Sequence, residues 1–445
     1  MKRILSLALC LLMVLSLCVS LSGCGNKKAS VYILNFKPES AKAYEKIAKA
    51  YEEETGIAVK VVTAAANTYE QTLKSEVAKN DAPTIFQVNG PIGFQSWKEY
   101  CADLTDTKLY SYLSDKDLAI KDNGRVYAIP YVVEGYGIIY NDAIMQKYFT
   151  LADKKTNVKT VAEINNFETL KSVVEDMTAN KEKLGISGVF ASTSLAGGED
   201  WRWQSHLANI PIYHEFYEKD NSADPTLAAV SAEEIAFKYA DNFKNIFDLY
   251  INNSVTAKTL LGSKSVNDSM AEFALGKCAM VQNGTWAWSQ IKDVNGNTVK
   301  EEDIGMLPIY MGVEGEEKIG ICVGTENYLA INKKVSEDKQ QKSIEFLNWL
   351  YSSETGKQFV KNELGFATPF NTFSEAEQPD DPLAKEMSRY IKNGETKTIP
   401  WVFAGFPSEN FKTTFGDALL LYAQGTKTFD EVKEIVKNKW QSERK

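Results

Sequence analysis

Histidine is nearly missing from this chain. Its 445 residues include two, His206 and His214. That leaves little room for a His-rich metal site or a Ser-His-Asp triad. Cysteine is sparse too, with six residues and no CxxC pair. Positive charge falls short of negative, 50 Lys and Arg against 59 Asp and Glu, for a net −9. Such a surface repels phosphate backbones and argues against nucleic acid as a partner. Enzyme signatures are lacking as well. No GxSxG, Walker A, HExxH, Cys–His or EF-hand pattern occurs, and Gly135-Tyr136-Gly137 lacks the third glycine of a dinucleotide loop. Paired carboxylates of the glycosidase kind are too far apart in any chain to be read from spacing. What remains is ordinary globular composition: 44% hydrophobic, 11% aromatic and 24% charged. A collagen, a disordered tail and a disulfide miniprotein are excluded, and the length suggests two or three domains.

The N-terminus opens with Lys2 and Arg3, then an uncharged apolar run over residues 4–21, then Ser22-Gly23-Cys24. We read residues 1–23 as a cleaved export signal rather than a membrane span, because small residues close the run. The tetrad Leu21-Ser22-Gly23-Cys24 resembles the lipobox of bacterial lipoproteins. The resemblance implies cleavage before Cys24, a lipid on its thiol, and a polar tether over residues 24–30. Loss of Lys2 and Arg3 takes the net charge to −11. No later apolar run approaches the first in length. Cys101, Cys278 and Cys322 lie in apolar stretches and read as buried free thiols, with at most one disulfide among them.

Beyond the tether, short β-branched runs alternate with helical patterns. Residues 31–34, 59–62 and 84–88 read as strands, and 39–54 and 69–79 as helices. Tyr44, Ile47, Ala48 and Tyr51 share one helical face, and Gly56 reads as the C-terminal cap. Further strands are expected at 127–129, 137–140, 187–190, 278–281, 304–307 and 328–331. Helices are expected at 236–250, 342–350 and 353–362, with mostly helix over 411–437. This alternation predicts an α/β fold with parallel sheet, and ligands in such sheets bind beyond the carboxyl ends of strands. The loops at 35–39 and 89–94 sit at that edge.

Aromatic residues gather near turn signals: Trp201 and Trp203, Trp286 and Trp288, Trp401 and Phe403, Tyr131 and Tyr136. Core packing is the plain explanation for any single one. Several beside carboxylates and amides suit a sugar, whose apolar ring face packs on an indole while its hydroxyls seek polar partners.

Two segments carry a family resemblance. They are Gly124-Arg-Val-Tyr-Ala-Ile-Pro-Tyr-Val-Val-Glu-Gly-Tyr-Gly-Ile-Ile-Tyr-Asn141 and Phe273-Ala-Leu-Gly-Lys-Cys-Ala-Met-Val-Gln-Asn-Gly-Thr-Trp-Ala-Trp288. With residues 53–57, 303–308, 327–332 and 344–356 they resemble family 1 extracellular solute-binding proteins, the maltose and maltodextrin binders among them. The resemblance implies a type II, periplasmic-binding-protein-like α/β fold. It has two lobes, each a mostly parallel sheet flanked by helices, joined by a multi-crossing hinge. It carries the lobes onto residues 31–132 plus 326–366 and 137–320 plus 371–445, with crossings near 132–137, 320–327 and 364–371. It further implies a non-catalytic monomer on the extracytoplasmic face of a bacterial membrane, without cofactor. Such a protein captures an oligosaccharide, closes its cleft and delivers the sugar to an ABC permease pair.

Site residues transfer one by one. Lys37 and Glu39 fall in the loop after the first strand, and Glu134 matches a carboxylate at the first crossing. Glu199 and Trp201 fall on a Glu-Pro-aromatic motif in which Asp200 replaces proline. Trp286 matches a stacking tryptophan, and Phe411 stands where a second one sits. The binders' Trp and Asp-Arg pair have no counterpart around residues 86–90, leaving Asn89 as the polar residue there. Tyr136 and Trp203 complete the candidate set. Rival readings keep the fold but bind a peptide or polyamine, or make the chain a secreted glycoside-acting enzyme.

Overall fold

A computed structural model of the chain describes residues 29–65, 68–325 and 327–444. Cys24 and the export signal lie outside the described residues. Among the described residues, eleven strands form two sheets. They are β1 (Val31–Asn35), β2 (Val59–Thr63), β3 (Ile85–Asn89), β4 (Ile120–Asp122), β5 (Arg125–Pro130), β6 (Glu134–Asn141), β7 (Met280–Gly284), β8 (Ile304–Leu307), β9 (Ile319–Gly324), β10 (Asn327–Ile331) and β11 (Lys397–Ile399). The first sheet runs β2-β1-β3-β10-β5-β4, and the second runs β11-β9-β6-β7 with β8 also on β6.

Helices form where the apolar spacing places them. Ala41–Thr55 buries Tyr44, Ile47, Ala48 and Tyr51, and Gly56 closes it at φ 72°. It starts after a 3-10 turn at Pro38–Ser40, because Pro38 cannot donate inside a helix. The helix expected from residue 236 begins at Ala240, since Phe237 takes a φ of 52°. The C-terminal helical region is two helices, Glu409–Ala423 and Phe429–Arg444, parted near Gly425 at φ 76°. Residues 187–190 form no strand; Phe190 alone bridges Ser254 and Met280.

The sheets are not mostly parallel, which corrects the expectation. β1 pairs in parallel with β2 and β3, but β10 runs antiparallel to β3 and β5. In the second sheet β6 is antiparallel to β7, β8 and β9, and only β11 on β9 is parallel. The cause is the chain path. β6 and β10 are the strands by which the chain enters each sheet from the other, so they run against the strands built by local strand–helix–strand steps.

Each sheet has its own core. Val31, Ile33, Tyr44, Ile47, Ile85 and Ile129 belong to the first, and Ile138, Met145, Val173, Phe190, Phe243 and Phe415 to the second. The chain passes between them after β5 and after β9. Further on, Phe366, Phe370 and Phe373 pack in the first core, while Ala367 among them packs against the second sheet's residues and bridges Val133. Phe370 is held by a bridge to Leu113. Cys101, Cys278 and Cys322 are buried and free, as read from sequence. Among the described residues no helix is long and apolar enough to cross a membrane, and no cluster of His, Cys, Asp and Glu suits a metal.

Candidate functional site

The loop after β1 is built to hold a lysine. Asn35 donates from Nδ2 to the Lys37 carbonyl at 2.7 Å, and the Lys37 amide donates to Asn35 Oδ1 at 3.0 Å. The Phe36 amide donates to Gln87 Oε1 at 2.8 Å. Lys37 then reaches across to the second sheet. Its Nζ donates to both carboxylate oxygens of Glu134, the first residue of β6, at 2.9 and 3.0 Å. Glu39 lies 3.8 Å from the same ammonium. Lys37 and Glu134 are 6% and 5% exposed. Burial pushes the Glu134 carboxyl above its ordinary value, against the pull of Lys37.

Above this pair stands a group of rings. Trp286 follows the end of β7 and lies over Gly284, where a Cβ would come within 2.1 Å of the indole Cζ3. Trp401 is seated the same way on Gly324 at the end of β9. The centroid of Trp286 is 5.9 Å from Trp201 and 6.4 Å from Trp401. His206 sits among them, 4.8 Å from Trp201, 5.7 Å from Trp286 and 5.8 Å from Trp401, and stacks on Phe403 at 4.6 Å. The Tyr136 hydroxyl donates to the His206 carbonyl at 2.9 Å. Burial holds the His206 imidazole well below its usual value, so it is neutral. A π-helical segment, Arg202–Leu207, delivers His206 to this place, and such segments recur at functional sites. Trp201 and Trp286 remain half-buried, while Trp401 and Phe403 are buried.

A cavity of about 310 Å³ opens beside the rings, lined by Glu39, Glu134, Trp286, Lys292, Lys361 and Phe366 among others. That is the lower end of the range for small-molecule sites. The two sheets' bodies also touch across the site, since Gly90 after β3 lies against Ala404. Beside it, Asn89 Oδ1 is buried with no hydrogen-bond partner, as are Asn327 Oδ1 and Trp401 Nε1. Buried polar atoms left this way are costly and suit a ligand that satisfies them.

The structure therefore brings Lys37, Glu39, Glu134, Trp201 and Trp286 together, with Tyr136 behind them and Asn89 at the contact between the bodies. Three expected residues stand apart. Phe411 is fully buried, edge-on to Phe406 and Trp440, so it is no platform. The Trp203 indole donates to the Ser194 carbonyl and packs on Phe247 and Tyr250 in the core. Glu199 accepts from the Val266 amide at 3.0 Å and so serves the start of the helix Val266–Ala274. Phe411 and Trp203 point into the second core, and Glu199 turns to a helix start, rather than to the cleft. His206, Trp401 and Phe403 are the residues that the candidate set left out. The Trp401-Val402-Phe403 cluster signalled two of them, and the histidine carried no signal.

Asp200 gives a test of the surroundings. It is buried against Gly416, and burial, with Asp417 and Glu199 nearby, pushes its carboxyl up to about 6 from 3.8. A raised folded-state value means the folded chain holds the proton more tightly. Its contribution to stability therefore falls as pH rises from about 4 through about 6, by on the order of 2–3 kcal/mol. We expect the wild-type melting temperature to carry this loss and Asp200→Asn to remove it. Identical pH profiles for the two proteins would refute the assignment.

Known proteins bear on this site. A sequence profile described as bacterial extracellular solute-binding protein matches residues 46–386. The melibiose/raffinose/stachyose-binding protein MelE of Bacillus subtilis is 30% identical over 139 residues, 29% of this chain and 32% of that protein. An uncharacterised ABC transporter extracellular-binding protein of Pyrococcus horikoshii is 25% identical over 294 residues, 64% of this chain and 55% of its own. The chain thus spans from a third to just over half the length of these curated relatives. A sugar transporter structure from Bacillus licheniformis, in complex with stachyose, superposes with a TM-score of 0.67 at 18% identity, covering 93% of this chain and 100% of that one. That likeness extends to the two-lobed fold. The profile covers most of the chain, its lobes meet at a cleft of aromatic and polar side chains, and the chain belongs to the bacterial extracellular solute-binding protein family.

Proposed function

We propose that this protein captures an oligosaccharide in the cleft between its lobes and delivers it by lobe closure to an ABC importer, without catalysing a reaction. The observation that carries the reading is the ring group of Trp201, His206, Trp286 and Trp401 beside the Lys37–Glu134 pair. Indoles take the apolar face of a pyranose, and the unpaired atoms of Asn89 and Trp401 are ready for its hydroxyls. The sugar-binding names of MelE and of the stachyose complex support the same substrate class. The name of the Pyrococcus relative supports the ABC partner.

Three chain passages form the hinge in this reading, near 132–137, 320–327 and 364–371. Closure about them follows the general behaviour of two-lobed binders. The Leu21-Ser22-Gly23-Cys24 tetrad supports a lipid on Cys24 that holds a monomer to the extracytoplasmic face of the membrane. A polyamine ligand is disfavoured by Lys37, whose ammonium already takes both oxygens of Glu134, the carboxylate that a cationic ligand would need.

A thermal-shift panel tests this. Malto-, xylo-, manno- and raffinose-series oligosaccharides are screened beside polyamines, peptides and amino acids. At a hundredfold excess over Kd, a ligand of the folded state adds about 2.7 kcal/mol of stability. We expect an upward shift with at least one oligosaccharide and recovery of that sugar intact after overnight incubation. A shift with polyamines or peptides alone overturns the substrate class, and cleavage products overturn the non-catalytic role.

A further inference from the structure

Behind the ring group lies a charge that a neutral sugar leaves unmatched. Arg202 is 2% exposed, and its Nε, Nη1 and Nη2 have no hydrogen-bond partner. The guanidinium lies 4.1 Å from the ring of Trp201, the indole that faces Trp286. Stacking offsets part of the desolvation of a guanidinium but satisfies none of its N–H donors. Glu199, the carboxylate whose charge acts on it, is bonded elsewhere, to the Val266 amide. The other cations acting on His206 differ: Lys37 is paired to Glu134 and Lys412 to Glu409. A buried guanidinium without a hydrogen-bonded counter-ion is costly, and its planar fork matches a carboxylate.

We propose that the ligand is an acidic oligosaccharide bearing a uronic-acid carboxylate, and that Arg202, stacked on Trp201, pairs with that carboxylate. The proposal rests on the oligosaccharide reading above and narrows it. The guanidinium lies over the Trp201 ring, so a pyranose packed in the ring group that Trp201 and Trp286 form brings its substituents near that charge. The acid supplies the missing counter-charge and two acceptors for the fork. A neutral sugar supplies hydroxyl acceptors but no charge.

The test is calorimetric titration of the wild-type protein with matched pairs: xylotetraose with and without a glucuronyl substituent, and maltotriose against trigalacturonate. The same titrations are run on Arg202→Met, which keeps the length and removes the charge. We expect one acidic member to bind about 30-fold or more tighter than its neutral partner, and Arg202→Met to abolish that ratio while changing neutral binding little. The acid's affinity should also fall with added salt, as a charge pair requires. Melting curves check that Arg202→Met folds, and we expect it to melt no lower than wild type because an unmatched charge is gone. If that variant does not fold, the wild-type ratio still decides. Equal or tighter binding of the neutral members overturns this proposal and leaves the oligosaccharide reading standing. Failure of every sugar, acidic and neutral, overturns the oligosaccharide reading itself.

Discussion

Trp286→Ala is expected to weaken oligosaccharide binding by about 100-fold or more while the protein still folds. The ring is half-buried and borders the cavity, with Trp201, His206 and Trp401 within 6.4 Å of it. Removing it takes away the apolar face on which a pyranose packs and opens the ring group to water. The folding cost should stay below the roughly 3–5 kcal/mol of a fully buried tryptophan, because part of the indole is already exposed. Titration with the sugar that shifts the wild-type melting curve gives the affinity, and circular dichroism the fold. Unchanged affinity with a normal melting curve would remove Trp286 from the site. Trp203→Ala is the useful contrast. That indole is 4% exposed and packs on Phe247 and Tyr250, so its loss should lower stability first.

Lys37→Met should be among the most destabilising single changes in the cleft. It leaves the Glu134 carboxylate buried without the ammonium that now meets both its oxygens. Breaking one side of a buried pair costs about 3–5 kcal/mol. Glu134→Gln should cost less, because Lys37 keeps Glu39 at 3.8 Å. The double variant should be milder than the sum of the two, since the stranded carboxylate is gone. A double-mutant cycle on melting free energies reads this coupling directly. The pH dependence has a definite sign. Burial already raises the Glu134 carboxyl, and loss of Lys37 raises it further. Lys37→Met should therefore be least damaging in acid, where the carboxyl is protonated, and most damaging as pH rises. Additive effects, or damage independent of pH, would show that the pair is not coupled.

Particular elements show where the sequence was legible. The apolar face of Ala41–Thr55 and its Gly56 cap follow from spacing alone, because both are set within a few residues. The first three strands and the Trp286 turn were readable on the same grounds. Phe237 broke the helix expected from residue 236 because its left-handed backbone answers to packing around it, not to its own propensity. Strand direction failed for a related reason. A parallel ladder follows from a local strand–helix–strand step, whereas β6 and β10 arrive from the other lobe.

The site divides in the same way. Lys37, Glu39, Glu134, Trp201 and Trp286 were legible because each sits in a loop or strand end whose position a motif marks. Phe411 and Trp203 turned into the second core and Glu199 to the start of a helix, because a side chain's direction depends on which neighbours fill the space around it.

The amino-acid order by itself determined the alternation of strands and helices, the lack of an enzyme motif and the set of tryptophans near turns. These are properties of neighbours in the chain and of composition. The tertiary structure decided that Lys37 meets Glu134, 97 residues away, that His206 sits among Trp201, Trp286 and Trp401, and that Arg202 is buried without a partner. Those outcomes depend on which surfaces exclude water together. Only the folded chain sets that, because desolvation and pairing act through space between residues far apart in sequence.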